Sequence, residues 1–234
     1  MVPSARAVLE QLRELGDPSR LSGMRRYGIN TRRALGISVT ELRGLARGIG
    51  KDHDLALALW DSRFHEARIL ASMLDDPAAV TESQMQTWVL DFDSWDLCDQ
   101  VCGNLFDRTP YAFDEAVRWS SREEEFVKRA GFALMAWTAV HRKDVPDERF
   151  ETFLPIIRAQ ATDERNYVKK AISWALRQIG KRSATLHAHA IRTAEQIQQL
   201  DARAARWIAN DVLRELRGPA VKARLARRAP GPSV

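Results

Sequence analysis

HEARILASML (residues 65–74) is a short apolar run with an arginine, Arg68, in its fourth position. The same kind of run returns as WDLCDQVCGNLF (95–106), FVKRAGFALMAW (126–137), NYVKKAISWAL (166–176) and ARWIANDVLREL (205–216). An ionic residue stands early in each run, and the residues Arg68, Asp99, Arg129, Lys170 and Arg206 are separated by 31, 30, 41 and 36 positions. Recurrence at roughly 30 to 45 residues marks stacked helical pairs, because one pair cannot bury its apolar face without its neighbours. The expected fold is an all-α, right-handed helical-repeat solenoid of about six antiparallel helix pairs. Stacking would align equivalent positions on one concave face. Four of the five are cationic, so that face is expected to attract an elongated anion, and the carboxylate of Asp99 marks the place for chemistry.

Outward from these runs the chain reads as helix after helix. Ser38 with Glu41, and Thr81 with Gln84, have the form of capping boxes that open helices. Asp75, Asp76 and Pro77, then Pro110, Pro146 and Gly180, mark stops. Helices are predicted over 4–15, 40–47, 52–61, 64–74, 81–91, 95–106, 110–119, 123–141, 147–160, 164–179, 183–199 and 201–216. Residues 16–39, with Gly23, Gly28, Gly36 and the arginines 25, 26, 32 and 33, read as a basic loop or short helices. No linker suggests a division, so residues 1–221 are expected to form one helical-repeat domain and 222–234 a basic, disordered tail.

Composition excludes several classes. With 45% apolar residues in 234 the chain can bury a core, and no run approaches the roughly 20 apolar residues that span a bilayer. The opening MVPSARAVLEQLRELG has charged residues where an export signal has an unbroken apolar segment, so a cytoplasmic address is expected, alongside the nucleoid. Cys98 and Cys102 lie one helical turn apart and are read as reduced core thiols; neither a metal nor a cofactor is expected. Net charge is +5, but residues from 163 onward carry 15 Lys and Arg against 6 Asp and Glu, leaving the rest of the chain acidic. Positive charge is concentrated toward the C-terminal end.

Two segments carry readable chemistry. In WDLCD, Trp95 and Asp99 are four apart, so on a helix they share a face about 6 Å apart along the axis and reach the same ligand. A Trp in the inter-repeat core and an Asp bonded to a neighbouring cation fit that pattern equally well. In NYVKKAISWALRQIGKR, Lys170, Arg177, Lys181 and Ser173 surround Trp174 at helical spacing, which suits a phosphate backbone. Trp60, Trp88, Trp119, Trp137 and Trp207 are read as inter-helix core. His65, His141, His187 and His189 show no partner in the sequence.

WDLCD at 95–99, KRA at 128–130 and KKAISWALRQIGK at 169–181 together resemble the AlkD-like DNA alkylation repair proteins, helical-repeat DNA glycosylases built from HEAT-like units. The resemblance extends from about residue 55 to 215. It implies that Asp99 is the catalytic carboxylate, that Trp95 and Trp174 are aromatic walls flanking the lesion's deoxyribose, and that Arg129 contacts the backbone nearby. With the periodic cations and the basic face around Trp174, the expected DNA-binding set is Arg68, Lys128, Arg129, Lys169, Lys170, Arg177, Lys181 and Arg206. The implied partner is double-stranded DNA containing N3- or N7-alkylated purines, bound by a monomer. Two other readings stay open: a non-catalytic helical-repeat protein that recognises bent or branched DNA, and a scaffold that holds an acidic peptide.

Overall fold

The structure, a computed structural model, describes residues 3–227. Among the described residues there is no strand, and the chain divides between Thr109 and Pro110 into two compact helical units. The first holds α1 (Ala5–Leu15), α2 (Leu21–Arg26), α3 (Val39–Ile49), α4 (His53–Asp61), α5 (His65–Leu74), α6 (Glu82–Leu90) and α7 (Trp95–Asn104). The second holds α8 (Ala112–Ser120), α9 (Glu125–His141), α10 (Asp147–Glu151), α11 (Phe153–Gln160), α12 (Asn166–Gly180), α13 (Ala184–Gln198), α14 (Arg203–Leu216) and α15 (Pro219–Ala226).

Local chemistry sets the starts of these helices. Ser38 and Glu41 close a reciprocal capping box on α3, and the Thr81 hydroxyl accepts the Gln84 amide at the start of α6. In the first unit every residue of α5 except Met73 is buried, and α3, α4 and α7 pack against it. The aromatic part of this core is a stack of Trp60 on Trp88, centroids 3.9 Å apart, flanked by Phe92 and Phe106.

In the second unit α9 occupies the equivalent place, with α8 and α12 as its main neighbours. Gly131 permits the α8–α9 approach: a Cβ there would lie 2.5 Å from the Ser120 nitrogen and 2.9 Å from the Ala116 carbonyl oxygen. A single helix predicted over 147–160 is instead two, broken at Thr152. Pro155, in the first turn of α11, has no N–H to donate to the carbonyl of residue 151, so an unbroken helix there would lose a hydrogen bond. Lys222 and Arg224, predicted to lie in a tail, belong to α15, and residues 228–234 of that expected tail lie outside the described residues. Among the described residues no helix is long and apolar enough to cross a membrane.

Candidate functional site

Trp95 is the first residue of α7 and Asp99 stands one turn further on; both side chains are half-buried. The indole is held from outside its own helix. Its Nε1 donates a 3.0 Å hydrogen bond to the carbonyl of Tyr27, whose own ring is 72% exposed. Three residues later the same segment is tied again: the Asn30 side chain donates to Asp93 at 2.7 Å, and its backbone N–H donates to the Ser94 hydroxyl at 3.4 Å. The stretch 27–37, within the segment 16–39 expected to be a basic loop or short helices, is thus the strap over the start of α7.

The strap is anchored on α5 by a buried carboxylate. Glu66, 0% exposed, accepts the backbone N–H groups of Leu35, Gly36 and Ile37 at 2.8, 2.7 and 3.3 Å. Gly36 takes φ +83, where a Cβ would strike the Asp17 carbonyl oxygen at 2.1 Å, so only glycine closes this loop. The His65 amide donates to the Arg33 carbonyl, and its ring Nε2 lies 2.8 Å from Asp96. Burial opposes a charge on His65, but the Asp96 hydrogen bond and the carboxylates of Asp96, Glu66 and Asp93 outweigh it and raise the pKa above the ordinary value. Histidine 65, without a partner in the sequence, finds one across the helix pair.

Behind Asp99 the thiols of Cys98 and Cys102 are both fully buried. Burial pushes the Cys102 thiol well up, with Cys98, Asp99 and Asp107 adding to the effect, so it stays protonated.

Between the strap and the helices lies a cleft of about 370 Å³, lined by Asn30, Arg32, Arg33, Arg63, Arg68 and Asp93 among others. Arg32, Arg33 and Arg63 are exposed there, and Arg63 holds a left-handed backbone (φ 61) that a side chain seldom adopts. Arg68 differs. It is 6% exposed, donates to Asp91 at 2.8 Å and lies 4.9 Å from the Trp60 ring centroid, so it ties α5 into the core rather than facing solvent. At this cleft the exposed positive charge comes from the strap and from the turn before α5, neither of which lies in a periodic helical run.

The second unit carries the other expected residues, and there too burial divides them. Arg129 is 6% exposed and donates to the Tyr167 carbonyl at 2.6 Å, which orders the first turn of α12. Lys128 pairs with Asp163 at 3.0 Å. Despite partial burial, Arg165 and Lys128 hold the Asp163 carboxyl well below the usual carboxylate range. Trp174 is half-buried and meets Trp137 edge-to-face at 5.4 Å. Ser173 donates to Asp211 at 2.7 Å, Arg177 pairs with Asp211 and Glu215, and Lys181 pairs with Glu215 at 2.6 Å. Lys170 and Arg206 reach solvent, and the Lys169 ammonium sits 5.6 Å over the Trp207 ring.

Trp60, Trp88 and Trp119 are core, as expected, but Trp207 is 39% exposed. The buried stripe of α14 is Ala204, Ala205, Ile208, Ala209, Val212, Leu213 and Leu216. At about 100° per residue Trp207 falls nearly opposite that stripe, on the face of Arg203 and Arg214. Two further histidines have partners as well: His189 with Glu151 and His187 with the Gly180 carbonyl. Among the described residues no group of three or more His, Cys, Asp or Glu side chains is placed to hold a metal ion.

A sequence model of the family described as DNA alkylation repair enzyme matches residues 8–218. No curated protein matches the chain. Among solved structures, one described as "a new family of proteins related to the HEAT-like repeat DNA glycosylases with affinity for branched DNA structures" aligns with a TM-score of 0.76 and 19% identity. The alignment covers 91% of this chain and 95% of that one. At this identity the likeness is one of fold, an all-α helical-repeat architecture that the spacing of the apolar runs predicted and whose HEAT-like form the resemblance implied.

Proposed function

The chain belongs to the DNA alkylation repair enzyme family, and on that footing we propose that it is a DNA glycosylase. Its substrates are purines made cationic by alkylation at N3 or N7, which it releases from double-stranded DNA. The observation that carries this reading is the placement of a carboxylate and an indole one turn apart on α7. Asp99 is the half-buried acid one turn above an indole whose position is fixed by Tyr27.

Such a lesion needs little of the protein. The alkylated purine carries a formal positive charge, so when the glycosidic bond breaks its electron pair leaves with the base, which departs neutral and needs no strong general acid. Positive charge passes to C1′ and O4′ of the deoxyribose. A fixed carboxylate beside that sugar stabilises the oxocarbenium-like transition state more than the ground state. Water then adds to C1′ and releases its proton to Asp99 or to solvent. The face of Trp95 contributes quadrupole attraction to the same developing cation. Trp174, half-buried on α12, is the second aromatic of this reading.

Duplex DNA is held by its phosphates. Lys169, Lys170 and Arg206 take this role from the second unit, and Arg32, Arg33 and Arg63 take it from the first. Arg68, Lys128, Arg129, Arg177 and Lys181 act instead as internal ties that fix the helices, because each is buried or already paired with a carboxylate or carbonyl. The protein works as a monomer, in the compartment that holds the DNA.

A duplex containing N7-methylguanine tests the reading directly. Free methylated base should accumulate with the wild-type protein, and Asp99→Asn should release little while binding the duplex with near-normal affinity. Full activity in that variant would remove Asp99 from the mechanism. No release by the wild-type protein would leave the second reading, a non-catalytic binder of bent or branched DNA, which the fold shared with a protein described as having that affinity favours.

A further inference from the structure

We propose that Trp207, with Lys169, Arg203 and Arg206, is a stacking platform for an unpaired base of single-stranded DNA. The platform rests on the nucleic-acid reading above and adds to it a second ligand, the unpaired strand of a fork, flap or gap. It asks nothing of the residues that face the reacting sugar.

The placement of Trp207 carries the argument. A large aromatic on the polar face of α14, opposite the apolar stripe, contributes little to the core, and 39% of it meets solvent. Around it opens a cleft of about 340 Å³ lined by Glu164, Lys169, Arg203, Arg206 and Trp207, three cations to one carboxylate. The carboxylate is already committed: Glu164 accepts the Ala204 N–H at 2.9 Å and so satisfies the first turn of α14. Arg206 pairs with Asp201, with side chains 53% and 105% exposed, so solvent screens the pair strongly. The Lys169 ammonium lies 5.6 Å from the indole centroid.

An indole beside several solvent-reaching cations is the arrangement that recognises single-stranded nucleic acid. Cations track the backbone, and the ring stacks on any base because every base has a π face. A base inside a duplex is already stacked on its neighbours and has no face to give, so Trp207 discriminates for unpaired strands. Phosphates alone do not make that distinction.

The test is fluorescence anisotropy of the full chain with a labelled oligothymidylate of about 15 nucleotides at fixed salt, beside a strand of equal length that lacks bases. Trp207→Ala should weaken oligothymidylate binding by about 5- to 100-fold, Trp207→Phe should recover most of it, and neither should change binding to the abasic strand. Equal affinity of wild type and Trp207→Ala for oligothymidylate would overturn the proposal, as would an equal loss on the abasic strand. Release of N7-methylguanine from duplex DNA by Trp207→Ala should match wild type. A wild-type protein that binds the single strand through Trp207 but releases no base would refute the glycosylase reading and leave the platform standing.

Discussion

Trp95 and Tyr27, 68 positions apart, are joined by a 3.0 Å hydrogen bond from the indole Nε1 to the main-chain carbonyl. The orientation of a ring on α7 is therefore set by the strap that precedes α3. Trp95→Phe keeps an aromatic face and removes the tether. A single hydrogen bond of this kind is worth about 0.5–1.5 kcal/mol, so single-turnover excision of N7-methylguanine should fall by up to about 10-fold. Trp95→Ala, which removes the face as well, should fall further.

Glu66 is the anchor of the same strap, with three backbone donors on one fully buried carboxylate. Glu66→Gln keeps the volume but turns an NH₂ group toward donors. Stability in urea should drop by about 1–3 kcal/mol, the cost of leaving buried donors unmet. Amide exchange at Leu35, Gly36 and Ile37 should accelerate more than exchange in α9, which separates a local release from global destabilisation.

His65 couples stability to pH. Its folded pKa is raised above 6.5, so its contribution is fully present below that ordinary value and is lost as pH rises through the higher folded one. The facing charged groups, Asp96, Glu66 and Asp93, are all carboxylates. The difference in urea midpoint between wild type and His65→Gln should accordingly be largest in mildly acidic buffer and shrink as the solution turns alkaline. A difference that grew with pH would show that the ring is neutral in the folded protein.

Salt dependence sorts the cations. Replacing Lys170 or Arg206, which reach solvent, should each lower the log–log salt slope of duplex binding by about 1. Lys128→Ala leaves Asp163 without one of its two cationic partners and should lower thermal stability instead, with the slope unchanged. The variant should also lose less stability than wild type on acidification, because the Asp163 carboxyl, held low by Arg165 and Lys128, contributes above its ordinary pKa of 3.8 and loses that contribution as pH falls.

Sequence periodicity makes the helices legible because α12 and α14 each bury an apolar stripe, while α9 is buried nearly all round. It fails where one local event competes, as at Pro155, and where no period exists, as along the strap. Arg68 shows the limit for site residues. An arginine in an apolar run looks the same whether it extends to solvent or turns inward, and its partner Asp91 lies 23 positions away, beyond any helical spacing. Trp207 shows the converse, since its exposure follows from counting angles against Ala205, Ile208 and Val212 rather than from its residue type. That Trp95 and Asp99 share one helix is readable from their spacing of four; the hydrogen bond from Trp95 to Tyr27 is not.

A protein that meets DNA damaged by electrophiles is exposed to the electrophiles themselves. Its two sulfhydryl groups, Cys98 and Cys102, lie on the inner side of α7, neither one open to solvent. Methylating agents and iodoacetamide should leave both unmodified in the native protein and label them only on denaturation. On the proposed reading, the helix that carries Asp99 thus keeps its two thiols sheltered from the chemistry that would create the substrate.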